Sequence, residues 1–188
     1  MLEEVEKQLD IALTDKGLMV FPTFAIALKR KYDWDRTKII NCLKAVSKAF
    51  SEWEHEKTGK CMMQICEEKT ELSVAYTQDK LWDDVSFLKT DWKEKFDKMH
   101  FRNMEQQYLF AVHVRTEQIR WIEPTLYASI FVAMHDLHGY EYEDCLILRD
   151  LMNEINSECC TEDLTKKCFE ETKVRIEVED GCFRYDSE

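Results

Sequence analysis

Apolar residues along this chain recur at steps of three and four almost throughout, the spacing of one face of an α-helix. Leu2, Val5, Leu9, Ala12 and Leu13 form the first stripe, which Gly17 is expected to end. Pro22 then opens a second helix carrying Phe24, Ala25, Ile26 and Leu28, because proline suits a first-turn position. Asp35 is placed to cap the next helix, whose inward face is Ile39, Ile40, Leu43, Val46, Phe50 and Trp53. A shorter helix with Met62, Met63, Ile65 and Cys66 follows, then a brief strand-like alternation at Leu72-Ser73-Val74. Leu81, Val85, Leu88, Trp92, Phe96 and Met99 make a central helix, with a break near His100 and Asn103. Beyond it, Met104, Tyr108, Ala111, Val112 and Ile119 lead to Pro124.

From Pro124 the plan repeats. Phe21-Pro22-Thr23 corresponds to Glu123-Pro124-Thr125, and Tyr32-Asp33-Trp34-Asp35 to Tyr140-Glu141-Tyr142-Glu143. Cys66-Glu67-Glu68-Lys69-Thr70 corresponds to Cys168-Phe169-Glu170-Glu171-Thr172. Leu126, Ile130, Val132, Ala133, Met134 and Leu137 make a helix that Gly139 ends. Ile147, Leu148, Leu151 and Ile155 then match Ile39, Ile40, Leu43 and Ser47, and Leu164 and Cys168 mark the third helix. Val174 to Val178 alternates with period two and is expected to pair with Leu72 to Val74 across the pseudo-axis. The expected fold is therefore all-α with a minor two-stranded ribbon, a pseudo-two-fold internal duplication of a three- to four-helix unit. Residues 1–76 are the first repeat, 77–103 a central connecting helix, 104–180 the second repeat and 181–188 a loose C-terminal tail. Solenoids need three or more repeats, so two imply a compact globule.

Composition supports helices and a core. The 188 residues are 45% hydrophobic, with only four glycines and two prolines. No apolar run approaches the roughly 20 residues that span a bilayer. The acidic start, Met1-Leu2-Glu3-Glu4, lacks the pattern of a signal peptide, so a soluble, cytoplasmic protein is expected. In that compartment the eight cysteines are expected to be reduced, small core side chains. Their spacing contains no Cys-x-x-Cys ligand pair.

A net charge of −12 disfavours generic binding to phosphate backbones or anionic membranes. The two copies divide that charge unequally. Lys29, Arg30, Lys31, Arg36, Lys38, Lys44 and Lys48 make the first locally basic, a possible phosphate-binding patch. Asp136, Glu141, Glu143, Asp144, Asp150 and Glu154 make the second locally acidic, suited to a basic groove. Head-to-tail self-association through the two patches is a third use of them. A helix–turn–helix reader would carry basic or amide side chains on its exposed helix. Arg36, Lys38, Asn41, Lys44 and Lys48 offer those in the first copy, whereas the second presents carboxylates.

Catalytic signatures are sparse. Glu52-x-x-His55 and the His135/His138 pair have metal-ligand spacing, but neither comes with a full ligand set. The chain has no nucleophile elbow, phosphate loop or dinucleotide turn. No catalytic residue, metal or cofactor is expected. Aromatic residues set among charges at the hinges are the stronger lead, as in protein-binding hot spots. Trp34, Tyr140 and Tyr142, with Glu141, Glu143, Asp144 and Asp150, are the expected partner-binding residues.

The helix–hinge–helix plan followed by Glu-Glu-Thr-x-x-x-Ile (Glu170 to Ile176) resembles the small, helical, acidic, Cys- and Met-rich accessory proteins of phages and mobile elements. That resemblance implies a non-enzymatic inhibitor or modulator of host machinery, anti-CRISPR proteins among them. Its acidic surface would occupy the groove of a basic, nucleic-acid-handling nuclease. The alternatives are a nucleic-acid-binding regulator using the basic first copy, and a thiol- or metal-dependent enzyme.

Overall fold

Two long helices carry the fold, and each runs without interruption through the proline expected to start a new helix. A computed structural model describes residues 2–55, 62–74, 96–158, 161–179 and 182–186. Within them α1 spans Leu2–Tyr32, α2 Arg36–His55, α3 Met62–Thr70, α4 Met104–His138, α5 Tyr142–Glu158 and α6 Thr161–Thr172. The strands β1 (Arg175–Glu179) and β2 (Cys182–Asp186) pair antiparallel. The fold is all-α with this one small sheet among the described residues. Most of the expected connecting helix lies outside them.

Neither Gly17 nor Pro22 breaks α1, and Pro124 does not break α4. The reason is burial. Every residue from Val20 to Leu28 is buried, and so is every residue from Thr125 to Met134. An interior proline costs about 3 kcal/mol, whereas fully burying one large apolar side chain contributes about 1.5–3 kcal/mol. Phe21, Phe24, Ile26 and Leu28 around Pro22 outweigh it together. By length and mean hydropathy α1 could also cross a bilayer, contrary to the expectation that no run would be apolar enough. Its most apolar stretch is instead covered by α4, α5 and α6.

The short helices pack crosswise. α2 and α3, which follow α1 in sequence, lie on α4; α5 and α6, which follow α4, lie on α1. Each long helix is thus enclosed mainly by elements from the other half. Ion pairs reinforce the exchange: Arg30 of α1 holds Glu171 of α6 at 2.8 Å, and Lys69 of α3 holds Asp136 of α4 at 2.5 Å.

Local geometry recurs between the halves in detail. Thr70 Oγ1 donates to the Cys66 carbonyl at 2.8 Å and accepts from the Leu72 amide at 3.3 Å. Thr172 does the same with the Cys168 carbonyl at 2.7 Å and the Val174 amide at 3.1 Å. Glu71 and Lys173 both have φ of 59°, closing their helices with a left-handed residue. The second helices begin alike, with the Ile39 amide donating to the Asp35 carbonyl and the Cys145 amide to the Glu141 carbonyl. From those starts Ile39 corresponds to Cys145, Cys42 to Leu148 and Val46 to Met152, and all six are buried. The register expected from sequence, Ile39 against Ile147, was two residues too long, and Ile147 is exposed.

The ribbon forms differently from expectation. β1 pairs with β2, Ile176 opposite Tyr185, and Leu72 to Val74 is not a strand. Residues 182–186 are therefore structured, not a loose tail. Phe183 packs edge-on against Phe21 at 4.7 Å, and Tyr185 reaches Ser47 of α2 by a hydroxyl–hydroxyl hydrogen bond. Gly17 lies under the Phe183 ring, where an added Cβ would come within 2.0 Å of it.

Two stability tests follow. Gly17→Ala is expected to destabilise the native chain although alanine favours helices. In a Phe183→Ala background the same change should stabilise by about 1 kcal/mol, the ordinary helix gain. Urea unfolding of the four variants measures this sign reversal, and equal effects in both backgrounds would refute the contact. Separately, Thr70→Val and Thr172→Val each leave a buried amide without its acceptor. Each should cost about 1–3 kcal/mol in the same assay, and serine at either position should restore most of it.

Candidate functional site

The hinges that join the long helices to α2 and α5 meet in space. Asp33 (φ 50°) ends α1, and Gly139 (φ 68°) ends α4, donating its amide to the His135 carbonyl at 2.8 Å. A left-handed residue of this kind turns the chain sharply after a helix. Tyr32 then lies 5.2 Å from Trp34 and 6.0 Å from Tyr140, while Trp34 packs at a tilt against His138 at 4.8 Å. Lys38 Nζ sits 3.7 Å over the Trp34 ring. The structure thus brings Trp34 and Tyr140 together, but as packing partners. Tyr140 is buried, which corrects the expectation of an exposed contact residue, and Trp34 is half-buried.

Beside this cluster the Cys42 thiol is 3.5 Å from His138 Nε2. Burial pushes Cys42 up to about 11 and lowers His138, with Lys38 adding to the latter. A nucleophilic pair needs thiolate beside imidazolium; both shifts favour the uncharged forms. His135 is turned elsewhere, its Nδ1 2.8 Å from the Tyr140 carbonyl, so the two histidines do not converge. Among the described residues no three His, Cys, Asp or Glu side chains are gathered as a metal site. The side chains of Glu52 and His55 lie outside the described set.

The predicted basic residues divide into several roles. Lys29 pairs with Asp33 at 2.5 Å and holds its carboxylate below the usual range. Arg30 bridges Glu171 and Glu158, which raise its basicity further. Both therefore act within the fold. Lys31, Arg36, Lys38, Lys44 and Lys48 are exposed, Lys38 lying on Trp34. The predicted acidic residues Glu141, Glu143, Asp144 and Asp150 are all exposed, as is Tyr142.

Helical geometry turns part of this set into one face. Glu143, Ile147, Asp150 and Glu154 recur at steps of four, three and four, opposite the buried Cys145, Leu148, Met152 and Ile155. The row runs about 16 Å along α5. Its centre is the exposed Ile147, and Arg149 pairs with Asp150 at 3.1 Å at its side. The corresponding positions of α2 are Thr37, Asn41, Lys44 and Lys48, also exposed. Equivalent positions thus carry opposite charge, Lys44 against Asp150 and Lys48 against Glu154. Carboxylates at Glu143 and Asp144 also suit the positive end of α5. Ile147, whose spacing suggests a core position, is an addition to the expected contact set, and Glu154, expected as part of the acidic half, joins it.

No protein-family model, curated protein or solved structure matches this chain.

Two measurements check the electrostatics. Lys167 and Arg30 hold the Glu158 carboxylate down at about 2 from its ordinary 4.5. A depressed carboxylate stabilises the fold above its unfolded value, and that contribution is lost as pH falls from 4.5 through about 2. Glu158→Gln should flatten stability across this acid window, seen by urea unfolding; an unchanged profile would contradict the bridge. Burial holds Cys66 and Cys168 at about 11 and Cys145 at about 12, while Cys182 is exposed. Brief alkylation of native protein with peptide mapping should therefore label Cys182 and spare Cys42, Cys66, Cys145 and Cys168. Rapid labelling of any of these four would overturn the burial argument.

Proposed function

We propose that this chain acts by binding another protein, with the outer face of α5 as its contact surface. One observation carries the reading: Glu143, Asp150 and Glu154 form an exposed carboxylate row around an exposed isoleucine. An apolar centre with a charged rim has the anatomy of a protein interface. A line of carboxylates on a rigid helix also offers a basic groove some of what a nucleic-acid backbone offers. The partner of best fit is a basic, nucleic-acid-handling protein, and occupying its groove would inhibit or modulate it. Tyr142, Glu141 and Asp144 extend the surface toward the hinge.

The rival reading is nucleic-acid binding through the exposed α2 face, with Lys44 and Lys48 beside Arg36. Phosphate contact would weaken steeply with salt.

Both are separated by one set of variants. Tagged protein should capture a nucleic-acid-handling protein from host lysate, and excess duplex DNA should release it. The triple change Glu143→Lys, Asp150→Lys, Glu154→Lys should abolish capture, while Lys44→Glu with Lys48→Glu should not. Capture that survives the triple change would sink the proposal. A salt-sensitive mobility shift of DNA, lost on changing Lys44→Glu with Lys48→Glu, would establish the rival.

A further inference from the structure

The crosswise packing gives each long helix an equivalent side, and the described residues cover the two sides differently. On α1 that side is covered by the hairpin that follows α6: Phe183 and Tyr185 of β2 face Phe21, with Tyr185 anchored to α2. On α4 the equivalent side lies next to Ser73 and Val74, which follow α3 as Arg175 and Ile176 follow α6. There a groove of about 360 Å³ opens between these residues, α4 and Arg149 of α5. Pro124, Tyr127 and Phe131 of α4 line it, and Pro124 corresponds in sequence to Pro22.

We propose that this groove docks an extended, acidic, aromatic-bearing segment of a protein partner. Two observations set that chemistry. First, the fold itself shows what lies on that side of α1: a strand carrying two aromatics at alternate positions, Phe183 and Tyr185, beside β1. In the groove Glu123 stands in the place of Phe21, and Tyr127 and Phe131 supply the aromatic surface. A segment laid along Ser73 and Val74 would repeat the pairing of Tyr185 with Ile176 by strand addition. Second, Arg120 and Arg149 flank the groove in a chain of net charge −12, Arg149 with Asp150 on it at 3.1 Å, so that Arg120 is the main receptor. Guanidinium groups bind carboxylates in a fork and stack on aromatic rings. The groove's one carboxylate, Glu123, is engaged by Lys16 at 2.6 Å. This surface has the opposite preference from the α5 face, and the Arg149–Asp150 pair lies between the two.

The chain supplies a suitable probe. A fluorescein-labelled peptide copying residues 177–188, with Cys182→Ser, carries both aromatics and five carboxylate side chains against one arginine. Titrated with full-length protein at low salt, its anisotropy should rise to saturation. Arg120→Glu should weaken binding by roughly tenfold or more, and Arg149→Gln should weaken it less. Arg120 is exposed, and far-ultraviolet circular dichroism verifies that both variants keep their helices. A peptide with Phe183→Ala and Tyr185→Ala should bind more weakly by a similar factor. Absent binding, or binding indifferent to both arginine changes, would overturn the proposal. So would equal binding of the alanine peptide with full displacement by millimolar phosphate, which would mark a simple anion site. A photo-crosslinker at Ser73 that joins residues 75–95 of the same chain, undiminished by excess peptide, would assign the groove to the chain itself and also overturn it.

Discussion

Burial of α1 against α4 is the constraint on which the remaining structure depends. Over nine and ten consecutive residues, Val20–Leu28 and Thr125–Met134, these helices turn no side toward water. A helix apolar all round must be enclosed by protein or lipid. Here each is enclosed by the other and by two short helices from the opposite half. The crosswise arrangement means that neither half can cover its own long helix alone. Pro22 sits inside this burial and Pro124 stands half-buried at its edge, and the packed residues around each hold it in helical conformation.

From that constraint come the surfaces. The long helices end at hinges that meet in the Tyr32, Trp34, His138 and Tyr140 cluster, which fixes how α2 and α5 leave the core. Their inward faces are equivalent and apolar, while their outward faces bear opposite charge. Core positions answer to packing and tolerate only apolar residues of similar volume. Outer positions carry no such demand, so charge there is free to serve contact with other molecules. The hairpin shows the same division: it covers one long helix, while on the other a groove flanked by Arg120 and Arg149 lies beside Ser73 and Val74.

Sequence disclosed the local features well and the long-range ones poorly. The Cys-x-x-x-Thr helix ends were legible because their hydrogen bonds lie within eight residues of one another, as between Cys168 and Val174. Gly139 announced the end of α4 for the same reason, and Asn103 its start. Gly17 and Pro22 misled, since local breaking tendencies are overruled by burial that only tertiary packing supplies. The register of α5 slipped because Ile147 outranks Cys145 in hydrophobicity, yet Cys145 is the buried one. Period two in Val174 to Val178 correctly indicated a strand, but its partner was the next segment, not a distant one. Crosswise packing was invisible, because amphipathic faces state that they need covering and not by what. Of the candidate site, the acidic residues were legible from charge; the burial of Tyr140 and the arginine-rimmed groove required three dimensions.

The most direct test of the interlocked core is hydrogen exchange of the full chain across a urea series, followed at amides of α3 and α6. Because α3 rests on one long helix and α6 on the other, with each long helix needing both halves, their protection should vanish at the same urea concentration. Loss of protection in α1 to α3 at clearly lower urea than in α4 to α6, or the reverse, would mean that the halves stand independently and would contradict the account.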